Sequence, residues 1–147
     1  MNRPIQLAIV LIIFALLQPT FVFGQDKSNK KPWTGKLADG TEITEKDLLH
    51  LIRQHKIWLE SKGESGQRAN LEKADLKGAF LSYADLSNAI LSGINLSDAD
   101  LRFSNLNGAI LEESNLSNAN LRMAQLEKAT IVNSNISEAN LSYANLF

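Results

Sequence analysis

From Ala69 to its last residue the sequence repeats every five residues without an insertion. It runs Ala69-Asn70-Leu71-Glu72-Lys73, then Ala74-Asp75-Leu76-Lys77-Gly78, and on to Ala144-Asn145-Leu146-Phe147. Fifteen full units and one unit short of its last residue carry Leu at the third position, replaced only by Ile131 and Ile136. The first position is Ala except at Ile94, Ser104, Ser114 and Ser134, and the second is usually Asn or Asp. A period of five suits neither regular element. On an α-helix five residues advance by ~500°, so successive leucines step round by ~140° and draw no stripe. On a flat strand an odd period throws successive leucines to opposite faces. A chain that turns a corner once per unit escapes both problems. Every Leu and every small first residue can then point to a common axis, and sustained self-similarity at so short a period marks a stacked solenoid.

The motif Ala-(Asp/Asn)-Leu-x-x over residues 69–147 resembles that of the pentapeptide-repeat family. The stretch from His55 through Trp58, Gly63 and Gly66 to Leu71 looks like the lead-in that often precedes such repeats. The resemblance implies an all-β solenoid, a right-handed quadrilateral parallel β-helix with four units to a coil and about four coils, its first and third positions inward. At a strand spacing of ~4.8 Å such a tower is ~19 Å tall. Residues twenty apart would then stack, and the sequence carries that second period. Tyr83, Phe103, Met123 and Tyr143 form a bulky, ring-rich column of fifth positions, while the other fifth-position columns are polar or Gly. Asp75, Asn95, Asn115 and Asn135 form an amide column of the kind stacked strands favour. The inward serines fall on two of the four sides, and the other two sides keep Ala throughout.

Before the repeat, residues 32–68 read as a small unit of turn and helix. Asp39-Gly40 between Lys36-Leu37-Ala38 and Thr41-Glu42-Ile43 predicts a hairpin with a two-residue turn. Thr44 is a good N-cap with Asp47 three residues on, and Ile43 and Leu48 stand where a hydrophobic staple would form. Leu48, Leu51, Ile52, His55, Trp58 and Leu59 continue as one amphipathic stripe, and Gly63 and Gly66 end the helix. The solenoid is expected to be capped by this N-terminal α-helix, laid over Leu71 and Leu76, because a stack needs its open end hidden. His50 and His55 lie ~140° apart on such a helix and cannot share a metal ion. They read as surface and stripe-edge histidines.

The first 24 residues read as a signal peptide. Arg3 precedes an uncharged apolar run from Leu7 to Leu17, Pro19 breaks it, and Val22 and Gly24 supply the small residues of a cleavage site before Gln25. The run is shorter than the ~20 residues of a spanning helix. Residues 25–31 form a polar, flexible leader. The expected location is secreted or periplasmic, without a stable membrane span after cleavage; the alternative is an uncleaved N-terminal anchor.

Net charge is −1, with no cysteine and two histidines. This balance argues against a generic nucleic-acid binder and a polybasic membrane-surface protein. The absence of cysteine removes disulfides and thiolate chemistry. The abundant Ser, Asp and Asn are spaced by the repeat, and neither histidine lies within it to activate a nucleophile. No enzyme activity, cofactor or metal is expected. The ring-rich column Tyr83, Phe103, Met123 and Tyr143, with Arg102 and Arg122 beside it, is the candidate interaction surface for an unknown protein or envelope partner. A self-stacking ladder that holds coils together is the competing reading. Leu141, Leu146 and Phe147 are the candidate dimer end, where a weak homodimer would form through the last coil. Some relatives suggested by the resemblance are acidic DNA mimics that bind gyrase. The repeats here carry nine acids and five bases, a modest excess for that role, so the leading expectation is a non-catalytic exported surface protein. The DNA mimic and a purely structural protein are the alternatives.

Overall fold

The computed structural model describes residues 32–147. The expected signal peptide, its cleavage point and the leader at 25–31 lie outside the described residues. Among the described residues three regular elements precede the repeats: β1 (Thr34–Lys36), β2 (Glu42–Thr44) and α1 (Glu45–Glu60). β1 and β2 pair antiparallel, with Gly35 opposite Ile43 and Lys36 opposite Glu42. The hairpin is closed by a three-residue loop, Ala38–Asp39–Gly40, not by the two-residue turn the Asp-Gly pair predicts. Gly40 donates to the Leu37 carbonyl at 2.9 Å and Leu37 to the Thr41 carbonyl at 2.9 Å. A two-residue type I′ turn needs positive φ at both central residues. Here only Gly40 has it, at 85°, while the Asp39 carboxylate stays free to accept from the Thr41 N–H at 2.9 Å.

Helix α1 begins as its sequence predicts. Thr44 adopts an extended backbone and its N–H donates to the Asp47 carboxylate at 2.9 Å, while Asp47 N–H donates back to the Thr44 hydroxyl. This capping box satisfies two of the donors a helix start leaves open. Ile43 and Leu48 are both buried. The helix ends at Ser61, and Gly63, at φ 92°, donates to the Trp58 carbonyl at 2.8 Å. The following loop runs close over the helix. A Cβ on Gly66 would lie 2.4 Å from the Gln54 carbonyl oxygen, so only glycine fits that approach.

The repeats build four stacked coils. Parallel bridges join residues twenty apart down four sides: Asn70–Ile90–Ile110–Thr130, Asp75–Asn95–Asn115–Asn135, Phe80–Asp100–Asn120–Asn140 and Asp85–Asn105–Gln125–Asn145. Only the second residue of each unit makes the bridge, so the chain carries little extended sheet. The rest of each unit is a corner. At most corners the N–H of the first residue donates three residues back, as Ala74 does to Leu71 at 3.1 Å and Ala109 to Leu106 at 3.0 Å, whereas the Ser114 N–H donates to the Ser134 hydroxyl at 3.0 Å. Every fifth residue from Lys73 to Tyr143 has positive φ, between 55° and 67°. A bonded four-residue turn with positive φ at its third residue is the type II pattern. The five-residue period thus holds one bridge residue and one type II corner.

The first and third positions fill the axis. Leu76, Leu81, Leu91, Leu101, Leu106 and Leu111 are each 0% exposed. Ser104 and Ser114, also inward, donate to the Leu101 and Leu91 carbonyls at 2.7 and 2.8 Å, which meets the requirement for burying a hydroxyl. The amide column forms side-chain bonds between coils, with Asn95 donating to Asp75 at 2.8 Å and Asn115 to Asn95 at 3.3 Å. The two ends of the stack differ. In the first coil Leu71, Leu76, Leu81 and Leu86 are buried, in one cluster with Ile43, Leu48 and Ile52 of the hairpin and helix. In the last coil Ile131 and Leu141 are half-buried, and Ile136 and Leu146 are each 44% exposed.

β1 also extends one side of the stack. Lys36 exchanges both backbone bonds with Asp75, at 2.9 and 2.8 Å, as an antiparallel bridge on top of the amide column. The Trp33 indole donates to the Lys77 carbonyl at 2.9 Å and secures the chain's entry there.

Candidate functional site

The ring-rich column lies on the side formed by Ala79–Tyr83 and the units twenty, forty and sixty residues on. Tyr83, Phe103, Met123 and Tyr143 occupy the corner position with φ of 61°, 59°, 59° and 61°. Their backbone is held by the stack: Tyr83 N–H donates to the Arg102 carbonyl, Phe103 to Arg122 and Met123 to Ser142, at 2.9–3.0 Å. Their side chains stand outside it. Tyr83 is 61% exposed, Phe103 39%, Met123 38% and Tyr143 79%.

The column divides into two halves. The Tyr83 and Phe103 rings stack at 4.7 Å between centroids and 6° between planes, which is the rise of one coil. Below Met123 the contact changes in kind. The Arg122 guanidinium lies over the Tyr143 ring, 5.9 Å from its centroid. Arg102 is held differently: it grips Asp100 through two charge-assisted bonds of 2.8 and 2.7 Å. Burial works to raise the Asp100 carboxyl, but the hydrogen bonds and charge of Arg102 outweigh it and hold the group below its ordinary 3.8. The two arginines therefore play distinct parts. Arg102 is neutralised within its own unit, whereas Arg122 has no carboxylate within salt-bridge distance among the described residues.

Phe80 belongs to this side and was not singled out by the sequence pattern. It replaces the usual Asn or Asp at a bridge position and is 49% exposed. Its signal was present as a large apolar residue in the polar second position. The candidate dimer residues are at the opposite end of the stack from α1. Leu141 is half-buried, Leu146 is 44% exposed and Phe147 is 96% exposed.

Of the two histidines, His50 is exposed on α1 as expected. His55 is not at the edge of the stripe. It is 0% exposed and reaches the coils: Nδ1 accepts from the Ala69 N–H at 3.0 Å, and Nε2 lies 2.9 Å from the Ser87 carbonyl. The helix periodicity places His55 on the buried face, but its partners lie 14 and 32 residues away. Among the described residues no group of three or more His, Asp or Glu is arranged to hold a metal ion. No described helix is long and apolar enough to cross a membrane.

The family described as pentapeptide repeats matches residues 67–93 and 94–131, in 8 copies. A pentapeptide repeat protein from Nostoc Pcc 7120 is similar at 32% identity over 63% of this chain and 71% of its own, with a TM-score of 0.53. A pentapeptide repeat protein from the Arabidopsis thaliana thylakoid lumen is also 32% identical, over 52% of each chain, with a TM-score of 0.51. This chain therefore spans about half of the second protein. No curated protein matches it.

Proposed function

The chain belongs to the pentapeptide-repeat family, whose members fold as right-handed quadrilateral β-helices and are generally non-enzymatic, and on that premise we propose that it is an exported, non-catalytic solenoid whose ring-rich side docks a protein partner. One observation carries this reading. Four successive coils place a bulky apolar side chain at a corner where the backbone is left-handed, and all four are substantially exposed. A left-handed conformation costs an ordinary L-residue ~1–2 kcal/mol and is relieved by Gly or Asn. Of the eleven other corners, Gly78, Asn88, Gly93, Gly108, Asn118 and Asn133 use those residues, and Lys73, Asp98, Glu113, Lys128 and Glu138 put charged side chains there; only this column puts rings and Met there. The stacked Tyr83–Phe103 pair returns ~0.5–1.5 kcal/mol beyond the area it buries, less than the ~2–4 kcal/mol of its own two left-handed corners. Tyr83 and Tyr143, 61% and 79% exposed, bury too little for packing alone to account for rings at those corners. An exposed apolar strip with Arg at its side has the composition of a contact surface.

Export is supported by the apolar stretch Leu7–Leu17 and the small residues Val22 and Gly24. Helix α1 and the hairpin serve in this proposal as the cap of the first coil, whose leucines are closed off where those of the last coil are open. The exposed end formed by Ile136, Leu141, Leu146 and Phe147 is a contact for a second copy of the chain.

The test replaces all four corner residues together, Tyr83→Asn, Phe103→Asn, Met123→Asn and Tyr143→Asn. Binding is followed by affinity capture from envelope extract, with thermal melting measured in parallel. The expected variant melts at or above the temperature of the wild type and loses a partner that the wild type retains. A lower melting temperature with capture unchanged would instead make the column a structural ladder.

A further inference from the structure

We infer that His55 is a proton-operated latch that fastens α1 to the first coil. The inference stands apart from the ring-rich side and rests on the junction between helix and repeats. Among the described residues His55 is the one ionisable side chain that is buried, and it joins three segments distant in sequence. Its ring projects from α1. Nδ1 accepts from the N–H of Ala69, the residue with which the repeats begin, at 3.0 Å. That contact assigns the remaining proton to Nε2, which donates to the Ser87 carbonyl at 2.9 Å. A neutral imidazole has one donor and one acceptor, and this site uses both.

A second proton has no place to go. Protonated Nδ1 would point an N–H at the N–H of Ala69, and the fully buried ring has no water to turn to. The charged groups around the ring come from each packed segment. Asp85 in the first coil favours the proton, while Arg68 in the linker opposes it. From α1 itself the neighbour is Trp58, stacked on the imidazole at 5.6 Å and 14°, with the Arg68 guanidinium 5.7 Å from the Trp58 ring. Arg68 is tied in turn to the Asn88 carbonyl at 2.6 Å, so its charge is held near the site. Burial dominates and lowers the His55 pKa from its ordinary 6.5, against the pull of Ser87 and Asp85.

The sign follows from linkage. The helix-docked state prefers neutral His55, and the released state binds the proton at the ordinary value. The latch is fully closed above 6.5, weakens as pH falls through 6.5, and has lost all it can lose once pH is below the lowered folded value. Opening would free α1 while coils two and three, whose axis holds no titratable group, stay formed. The consequence is an acid-dependent uncovering of Leu71 and Leu76 at the first coil.

The imidazole 15N shifts of the purified protein, followed from pH 8 to pH 4.5, test this together with amide hydrogen exchange corrected for intrinsic rates. The expected result is an Nε2–H tautomer at neutral pH and a His55 midpoint below 6.5. Amides of residues 45–60 should lose protection through that range while those of residues 91–126 keep theirs. His55→Gln, which cannot titrate, should abolish the pH dependence of the helix. A midpoint at or above 6.5, helix protection constant across the transition, or helix and coils opening together at one pH would each overturn the latch. Should His55→Gln fail to fold, the wild-type titration and exchange decide alone.

Discussion

Leu106→Ala measures whether the tower is held by its axis. Leu106 is 0% exposed, and the residues twenty before and twenty after it, Leu86 and Leu126, are 1% and 2% exposed. The site is therefore closed from above and below, and its backbone is fixed by the Gln125 carbonyl, which accepts from the Leu106 N–H at 2.7 Å. Truncation to Ala removes three carbons, worth about 2.4 kcal/mol at ~0.8 kcal/mol per buried methylene. A cavity that cannot collapse adds to this, and buried Leu→Ala changes reach ~5 kcal/mol in such sites. We expect a loss of ~3–5 kcal/mol, a large share of the ~5–15 kcal/mol that holds a domain of this size. Because each coil is stabilised by its neighbours, protection should fall in the coils on both sides. Urea unfolding of the variant and the wild type gives the free-energy difference, and hydrogen exchange gives its spread. Leu146→Ala is the internal control, since a side chain 44% exposed has far less to lose. A Leu106→Ala loss below ~1 kcal/mol, or one no larger than that of Leu146→Ala, would refute the reasoning.

Thr44→Ala should lower stability by ~0.5–2 kcal/mol in thermal or urea melts, because it removes the side-chain acceptor of the capping box. Deleting residues 32–62 should give insoluble or aggregated protein by exposing the first coil's leucines and the bridge position at Asp75; a soluble, folded deletion variant would remove the cap role from α1. Light scattering of the chain across a concentration series should show a mass rising from monomer towards dimer. Leu146→Lys should hold it at the monomer, and a wild-type mass constant to high micromolar concentration would reject the end-to-end contact.

The repeat made most of the tower legible. Each five-residue unit contains its own corner and its own inward Leu, so the pattern Ala-Asn-Leu repeated from Ala69 specifies local turns and a common axis together. The second period of twenty in Tyr83–Phe103–Met123–Tyr143 and Asp75–Asn95–Asn115–Asn135 reports which units stack, and the bridges run residue for residue down the second of these columns. The start of α1 was equally readable because a capping box spans only Thr44 to Asp47. Elsewhere the deciding contacts are distant. The ring stack of Tyr83 on Phe103 and the separate parts played by Arg102 and Arg122 depend on coil geometry that no single unit contains. The loop at Ala38–Gly40 depends on how β1 and β2 register, and an Asp-Gly pair is compatible with two registers. The pairing of Lys36 with Asp75 joins a hairpin to a repeat across 39 positions. His55 is the sharpest case. Its place on the apolar stripe of α1 is a matter of sequence spacing, but its burial, tautomer and lowered proton affinity come from Ala69 and Ser87, which only the folded chain brings to the two sides of the ring.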